Sequence, residues 1–162
     1  MNKNEKLRLL LAKFVDFQVI RDNNMAKTPD ECAVMHIISI NKSAYSGKRI
    51  VDKTDEEITE ETAALSEAYF QFDFYAKTQV RAEEMAERLL NVLVFEKRNE
   101  LIRNGFGLSS DDIEIKDLTF LEKTQYIYRF GFDVGINWRD VMRRKTKLID
   151  SIKVEIKEEN NG

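Results

Sequence analysis

Ala68-Tyr69-Phe70-Gln71-Phe72-Asp73-Phe74-Tyr75 decides the fold class. Ala68 and three phenylalanines occupy alternate positions, with Tyr69, Gln71, Asp73 and Tyr75 between them, and only an extended chain sends such residues to opposite faces. The spacing predicts a strand whose phenylalanine face lies in a core. A second alternation, Tyr126, Tyr128, Phe130, Phe132, Val134 and Ile136, predicts a longer strand with the same kind of face. Its other face reads Ile127, Arg129, Gly131, Asp133 and Gly135.

Between these strands the period changes. Thr78 is a suitable N-cap for a helix running to about Arg103, and Asn104-Gly105 is a left-handed stop. Ala82, Met85, Ala86, Leu89 and Leu93 form its apolar stripe, but Glu96, Lys97 and Glu100 stand where that stripe would continue. Either the buried face slides or the helix bends near Phe95. Ile113 and Ile115 suggest a further strand, which Leu118 to Leu121 prolongs or follows.

Outward from this centre, Leu7, Leu10, Leu11 and Phe14 predict an N-terminal amphipathic helix over residues 4–15, docked on the domain's own sheet or on a neighbouring subunit. Gln18 to Arg21 leads into a loop rich in turn residues, and Ala33 to Asn41 reads as a buried strand. Ser43 to Lys48 reads as a turn. Acids then outnumber bases over residues 48–67, an exposed excursion that reads as a solvated loop or a long hairpin arm. There, Thr54 and Glu57 have the spacing of a capping box for a short helical turn. Beyond Trp138, the basic residues Arg139, Arg143, Arg144, Lys145 and Lys147 precede a last strand from Leu148 to Lys157 and a polar tail over 158–162. The whole is an α+β domain, a mostly antiparallel sheet with helices packed on one face.

The 162 residues suit a single domain, with 43% hydrophobic residues to fill its core. A net charge of −3 gives no footprint of a dedicated nucleic-acid binder. One cysteine, Cys32, and one histidine, His36, exclude an intramolecular disulfide and argue against a zinc site. On a strand these two lie about 13 Å apart, too far for a nucleophile and its base. Phosphate-loop, dinucleotide-binding, nucleophile-elbow and metalloprotease motifs are missing, and Gly105-Phe106-Gly107 follows a helix instead of a strand. No apolar run approaches a membrane span. Arg8 and Lys13 interrupt the apolar N-terminal residues, so no signal peptide is expected and the protein is read as made and kept in a cytoplasm.

Gln18-Val19-Ile20-Arg21 after an N-terminal helix, the aromatic strand Tyr69 to Tyr75, the helix after it, Gly105-Phe106, and Tyr128-Arg129-Phe130-Gly131-Phe132-Asp133-Val134 together resemble the phage neck terminator, or tail-terminator-like, proteins of long-tailed bacteriophages. The resemblance spans roughly residues 5–139. It implies a structural virion protein of α+β fold, without catalytic residues or cofactor, made in the host bacterial cytoplasm and located at the head-tail junction. Its partners would be further copies in a hexameric ring, the tail tube protein below and the head-completion, or connector, proteins above. DNA would pass through the central channel without sequence-specific recognition. Where the resemblance fails is the loop after Arg21, which carries only Pro29 in place of a proline-richer, more aromatic stretch.

Arg129, Gly131, Asp133 and Gly135 are candidates for a subunit interface. Arg129 and Asp133 lie about 13 Å apart on one strand and need partners from a neighbouring strand or another chain, while the glycines let a backbone approach. The alternative is the solvent side of a sheet. Arg139, Arg143, Arg144, Lys145 and Lys147 either line a DNA channel or touch an acidic partner, or else form a solvated turn. The acidic excursion is an arm that orders on a partner or an ordinary loop. The competing function is a small-ligand-binding or enzymatic α+β domain, for which only Tyr69, Tyr75, Tyr126 and Tyr128 speak. A module binding single-stranded nucleic acid on exposed aromatics is a third class, disfavoured by the net charge.

Overall fold

The computed structural model describes residues 2–22, 29–54 and 56–147. They form α1 (Lys3–Ala12), β1 (Gln18–Arg21), β2 (Cys32–Lys42), β3 (Ser46–Lys53), β4 (Glu57–Ala76), α2 (Gln79–Asn91), a π turn (Val92–Glu96), α3 (Arg98–Arg103), β5 (Phe106–Leu108), β6 (Lys116–Asp117), β7 (Phe120–Glu122) and β8 (Gln125–Lys147). The sheet runs β1-β2-β4-β8-β5, with β3 pairing β4, and β6 and β7 pairing β8. All pairs with a described register are antiparallel except β1 with β2. This is the expected α+β class. The described residues group into two compact units, those within 1–43 and 65–139 and those within 44–64 and 140–147.

The first unit is built on the alternation of β4. Ala68, Phe70, Phe72 and Phe74 are fully buried, and Phe132 of β8 packs against Phe72 and Phe74 at ring-centroid distances of 5.6 and 5.5 Å. Each buried ring contributes about 1.5–3 kcal/mol of apolar transfer. Leu7 and Leu11 of α1 and Ala82, Met85 and Leu89 of α2 close the same core. The first helix starts where Asn2 caps the Asn4 N–H. It ends three residues before the expected Val15, because the Lys13 and Phe14 N–H groups turn back to Leu10 and Leu11. β1 was hidden in the sequence as a lead-in, since four residues are too few to show a period. It pairs in parallel with β2, Val19 beside Ala33.

The expected helix after β4 exists, capped by Thr78, whose Oγ1 accepts from the Arg81 N–H, and closed by Gly105 at φ +89°. The question near Phe95 is answered by the π turn. Eight residues of regular α-helix would leave Leu101 about 80° out of line with Leu93. The wider turn, marked by the Lys97 N–H bonding to the Val92 carbonyl, takes up most of that angle, and both leucines are buried. Phe95 is displaced outward and stands 83% exposed.

Two expectations fail in this unit. Ile113 and Ile115 are half-buried but lie in no strand, because the segment carrying them crosses β8 with only Lys116 and Asp117 in ladder register. Tyr126 was placed on a core face, yet it is 58% exposed. Among the described residues its end of β8 pairs with the three-residue β7 alone, opposite the equally exposed Leu121.

In the second unit the hairpin-arm reading of the excursion holds, and the solvated-loop reading and the turn reading of the basic residues do not. The acidic excursion is a hairpin of β3 and β4, with Arg49 opposite Glu61 and Lys53 opposite Ile58. Thr54 does not start a helix: its N–H donates to the Glu57 carbonyl and its Oγ1 accepts from the Glu57 N–H, which closes the hairpin. The basic residues from Arg139 to Lys147 form no turn either, since β8 continues through all of them. The strand expected over 148–157 and the tail over 158–162 lie outside the described residues.

Candidate functional site

The outward face of β4 carries a buried charge cluster. Because Phe72 and Phe74 point into the core, Asp73 between them points away, and its side chain is only 2% exposed. Its Oδ2 accepts a 2.7 Å hydrogen bond from Arg129 Nη2 on β8. His36 Nε2, on β2, lies 3.0 Å from the same oxygen, and His36 Nδ1 lies 2.9 Å from Asp22. The Arg129 guanidinium also sits 5.9 Å from the Tyr75 ring centre. Burial works against the Arg129 charge, but the hydrogen bond and field of Asp73 oppose it and leave the guanidinium above its ordinary range. Burial likewise pushes the Tyr75 phenol up, so it is neutral at physiological pH. Such a network holds strands in one register, and removing one partner strands the rest.

The glycines of the candidate interface serve this monomer. A Cβ on Gly131 would stand 2.8 Å from Asp73 Oδ1 and 2.9 Å from the Phe72 carbonyl. At Gly135 the approach comes from Ser109 and Ser110: the Gly135 N–H donates to Ser110 Oγ at 2.6 Å, and the Ser109 N–H donates to the Gly135 carbonyl at 2.8 Å. Both glycines are buried, and Arg129 finds its partner on β4, as one of the two expected routes required. Asp133, the fourth residue of that face, is exposed.

In the second unit the basic residues meet the acids of the hairpin. Glu61, with a side chain 7% exposed, lies 3.2 Å from both Arg49 and Arg143, and Lys145 lies 3.6 Å from Glu57. Arg144 and Lys147 are exposed and join no such ion pair. Arg139 is exposed within the first unit. Within the second unit, Arg143 and Lys145 thus face the acids Glu57 and Glu61, while alternation along β8 sends Arg144 to the opposite face.

Neither arrangement offers evident catalytic chemistry. Cys32 is buried and its thiol is pushed up to about 11, so it is no thiolate at neutral pH. Among the described residues no three His, Cys, Asp or Glu side chains are placed to hold a metal ion, and no helix is long and apolar enough to cross a membrane. Tyr75, Tyr126 and Tyr128 line an open groove of about 790 Å³, with Tyr126 and Tyr128 stacked at 6.3 Å, whereas Tyr69 lies outside it. Sequence reasoning missed Asp22, His36 and Asp73 as one network. The only local signal was an acid in an aromatic strand; its partners His36 and Arg129 come from β2 and β8.

With this geometry established, residues 5–162 match the family model described as phage neck terminator protein. No curated protein matches the chain. The chain belongs to the phage neck terminator family, a family of structural proteins.

Proposed function

We propose that this member of the phage neck terminator family forms a hexameric ring at the end of the tail tube, stops tube growth and joins the tail to the head-completion proteins. DNA passes through the ring without sequence recognition, and the protein acts by assembly instead of catalysis. It is made in the host cytoplasm and becomes part of the virion at the head-tail junction. The observation that carries this reading is the family match, which spans almost the entire chain. The second unit supports it: β3 is exposed at all eight positions, so this part of the chain presents strand surface that its own fold leaves uncovered.

Deleting the coding sequence from the encoding phage or prophage tests the proposal. Electron micrographs should then show tail tubes of uncontrolled length and heads without tails, with both defects corrected by supplying the protein in trans. Normal joined particles in the deletion strain would refute it.

A further inference from the structure

We infer that neighbouring copies join head to tail, the outer face of α2 in one copy receiving one face of the β3-β4-β8 unit of the next. The inference rests on the ring reading above and names its contact surfaces.

The first surface is acidic with an apolar end. Glu83 and Glu87 lie one turn apart on the exposed side of α2, and neither is held in an ion pair within the described residues. The exposed strip continues through Asn91 to Phe95, which the π turn turns out to solvent at 83% exposure. A large apolar ring so placed adds nothing to the monomer's core. Its cost is explained if a partner covers it.

The second surface carries two unpaired cations with apolar residues between them. Arg49, Arg143 and Lys145 are drawn to Glu61 and Glu57 on one face of the unit. Alternation therefore sends Met142 and Arg144 to the other face. Ile50, opposite Glu60, and Lys53, opposite Ile58, share that face. Ile50 and Met142 are 59% and 55% exposed. Lys53 and Arg144 stand free of ion pairs within the described residues, and the face also holds the acids Glu60 and Asp140, the latter two residues before Met142 on β8.

The two surfaces are similar in length, and the unpaired charges of one are opposite to those of the other. Thirteen residues of α2 span about 20 Å, and eight strand residues of β3 span about 26 Å. Two free carboxylates face two free cations, and Phe95 meets Ile50 and Met142. Because the surfaces differ, a two-fold axis through either one would set like charge against like, whereas a head-to-tail contact joins unlike surfaces and closes into a ring when its rotation allows.

Charge reversal followed by native mass spectrometry tests this. Wild type should show a closed oligomer. E83K/E87K and K53E/R144E should each raise the dissociation constant by about tenfold or more and be monomeric, with wild-type circular dichroism showing that they fold. Mixed in equal amounts, they should reassemble in a 1:1 ratio, since each interface then again joins opposite charges. The glutamine pair E83Q/E87Q should weaken assembly less than E83K/E87K. If both reversed variants assemble like wild type, the contact is wrong and the ring stands. If wild type remains monomeric up to the highest concentration reached, the ring reading fails for the free chain and the contact fails with it.

Discussion

The two units of this chain are held by different forces. Residues 1–43 with 65–139 bury a continuous aromatic and aliphatic core, in which Phe70, Phe72 and Phe74 are wholly inaccessible. In the other unit the chief described contacts are charged: Glu61 between two arginines and Lys145 beside Glu57. Ala64 and Glu61 are its buried residues among those described. Apolar burial stabilises the first unit on its own, while ion pairs whose cations are exposed, as those of Arg49, Arg143 and Lys145 are, contribute less and fade with salt. The difference teaches that the second unit, with β3 exposed at every position, covers little of its own strand surface.

The sharpest break of this contrast is in the aromatic core. Phe132→Ala should cost about 3–5 kcal/mol, read by urea denaturation as a lower midpoint. A cost near zero would show that the core is not where the stability resides. Next is the buried cluster. Asp73→Ala leaves Arg129 without its acceptor and should cost about 3 kcal/mol, with Asp73→Asn recovering only part.

Gly131→Val should come third, at about 1–3 kcal/mol, because one of the atoms its Cβ would strike is the Phe72 backbone carbonyl. The measurement is the monomer's own melting temperature. Glu61→Gln should have a smaller effect, about 1 kcal/mol or less, and should abolish most of the salt dependence of amide exchange in the second unit.

The smallest effect concerns Glu5. Its hydrogen bond from Arg8, at 2.6 Å, holds the carboxylate below the ordinary value of 4.5, with burial acting the other way. A lowered carboxylate stabilises the fold above its unfolded value, and the contribution disappears as pH falls through the folded value. Glu5→Gln should therefore differ from wild type in thermal midpoint at pH 7 and converge with it toward pH 3.

Much of the fold could be read because its signals are local. The period of two in β4, the Thr78 cap, the Asn104-Gly105 stop and the misfit stripe around Phe95 all lie within short windows. What could not be read depends on pairing across the chain. Asp73 looks like a solvent residue until His36 of β2 and Arg129 of β8 are brought beside it, and Arg129 cannot be assigned to Asp73 without the register of β4 and β8. The run from Arg139 to Lys147 reads as a turn because its charges mask an extended chain whose acidic neighbours are some 80 positions away, as Arg143 and Glu61 show. Thr54 and Glu57 have one spacing that serves either a helix start or a hairpin closure, and only the ladder between β3 and β4 decides.

Hydrogen-deuterium exchange on the purified chain and on the assembled particle tests the contrast most directly. In the free chain, amides of residues 46–53 and 140–147 should exchange far faster than those of 70–74 and 130–136, and assembly should slow the first pair while leaving the second unchanged. Equal protection of both units in the free chain, or no change on assembly, would contradict the account.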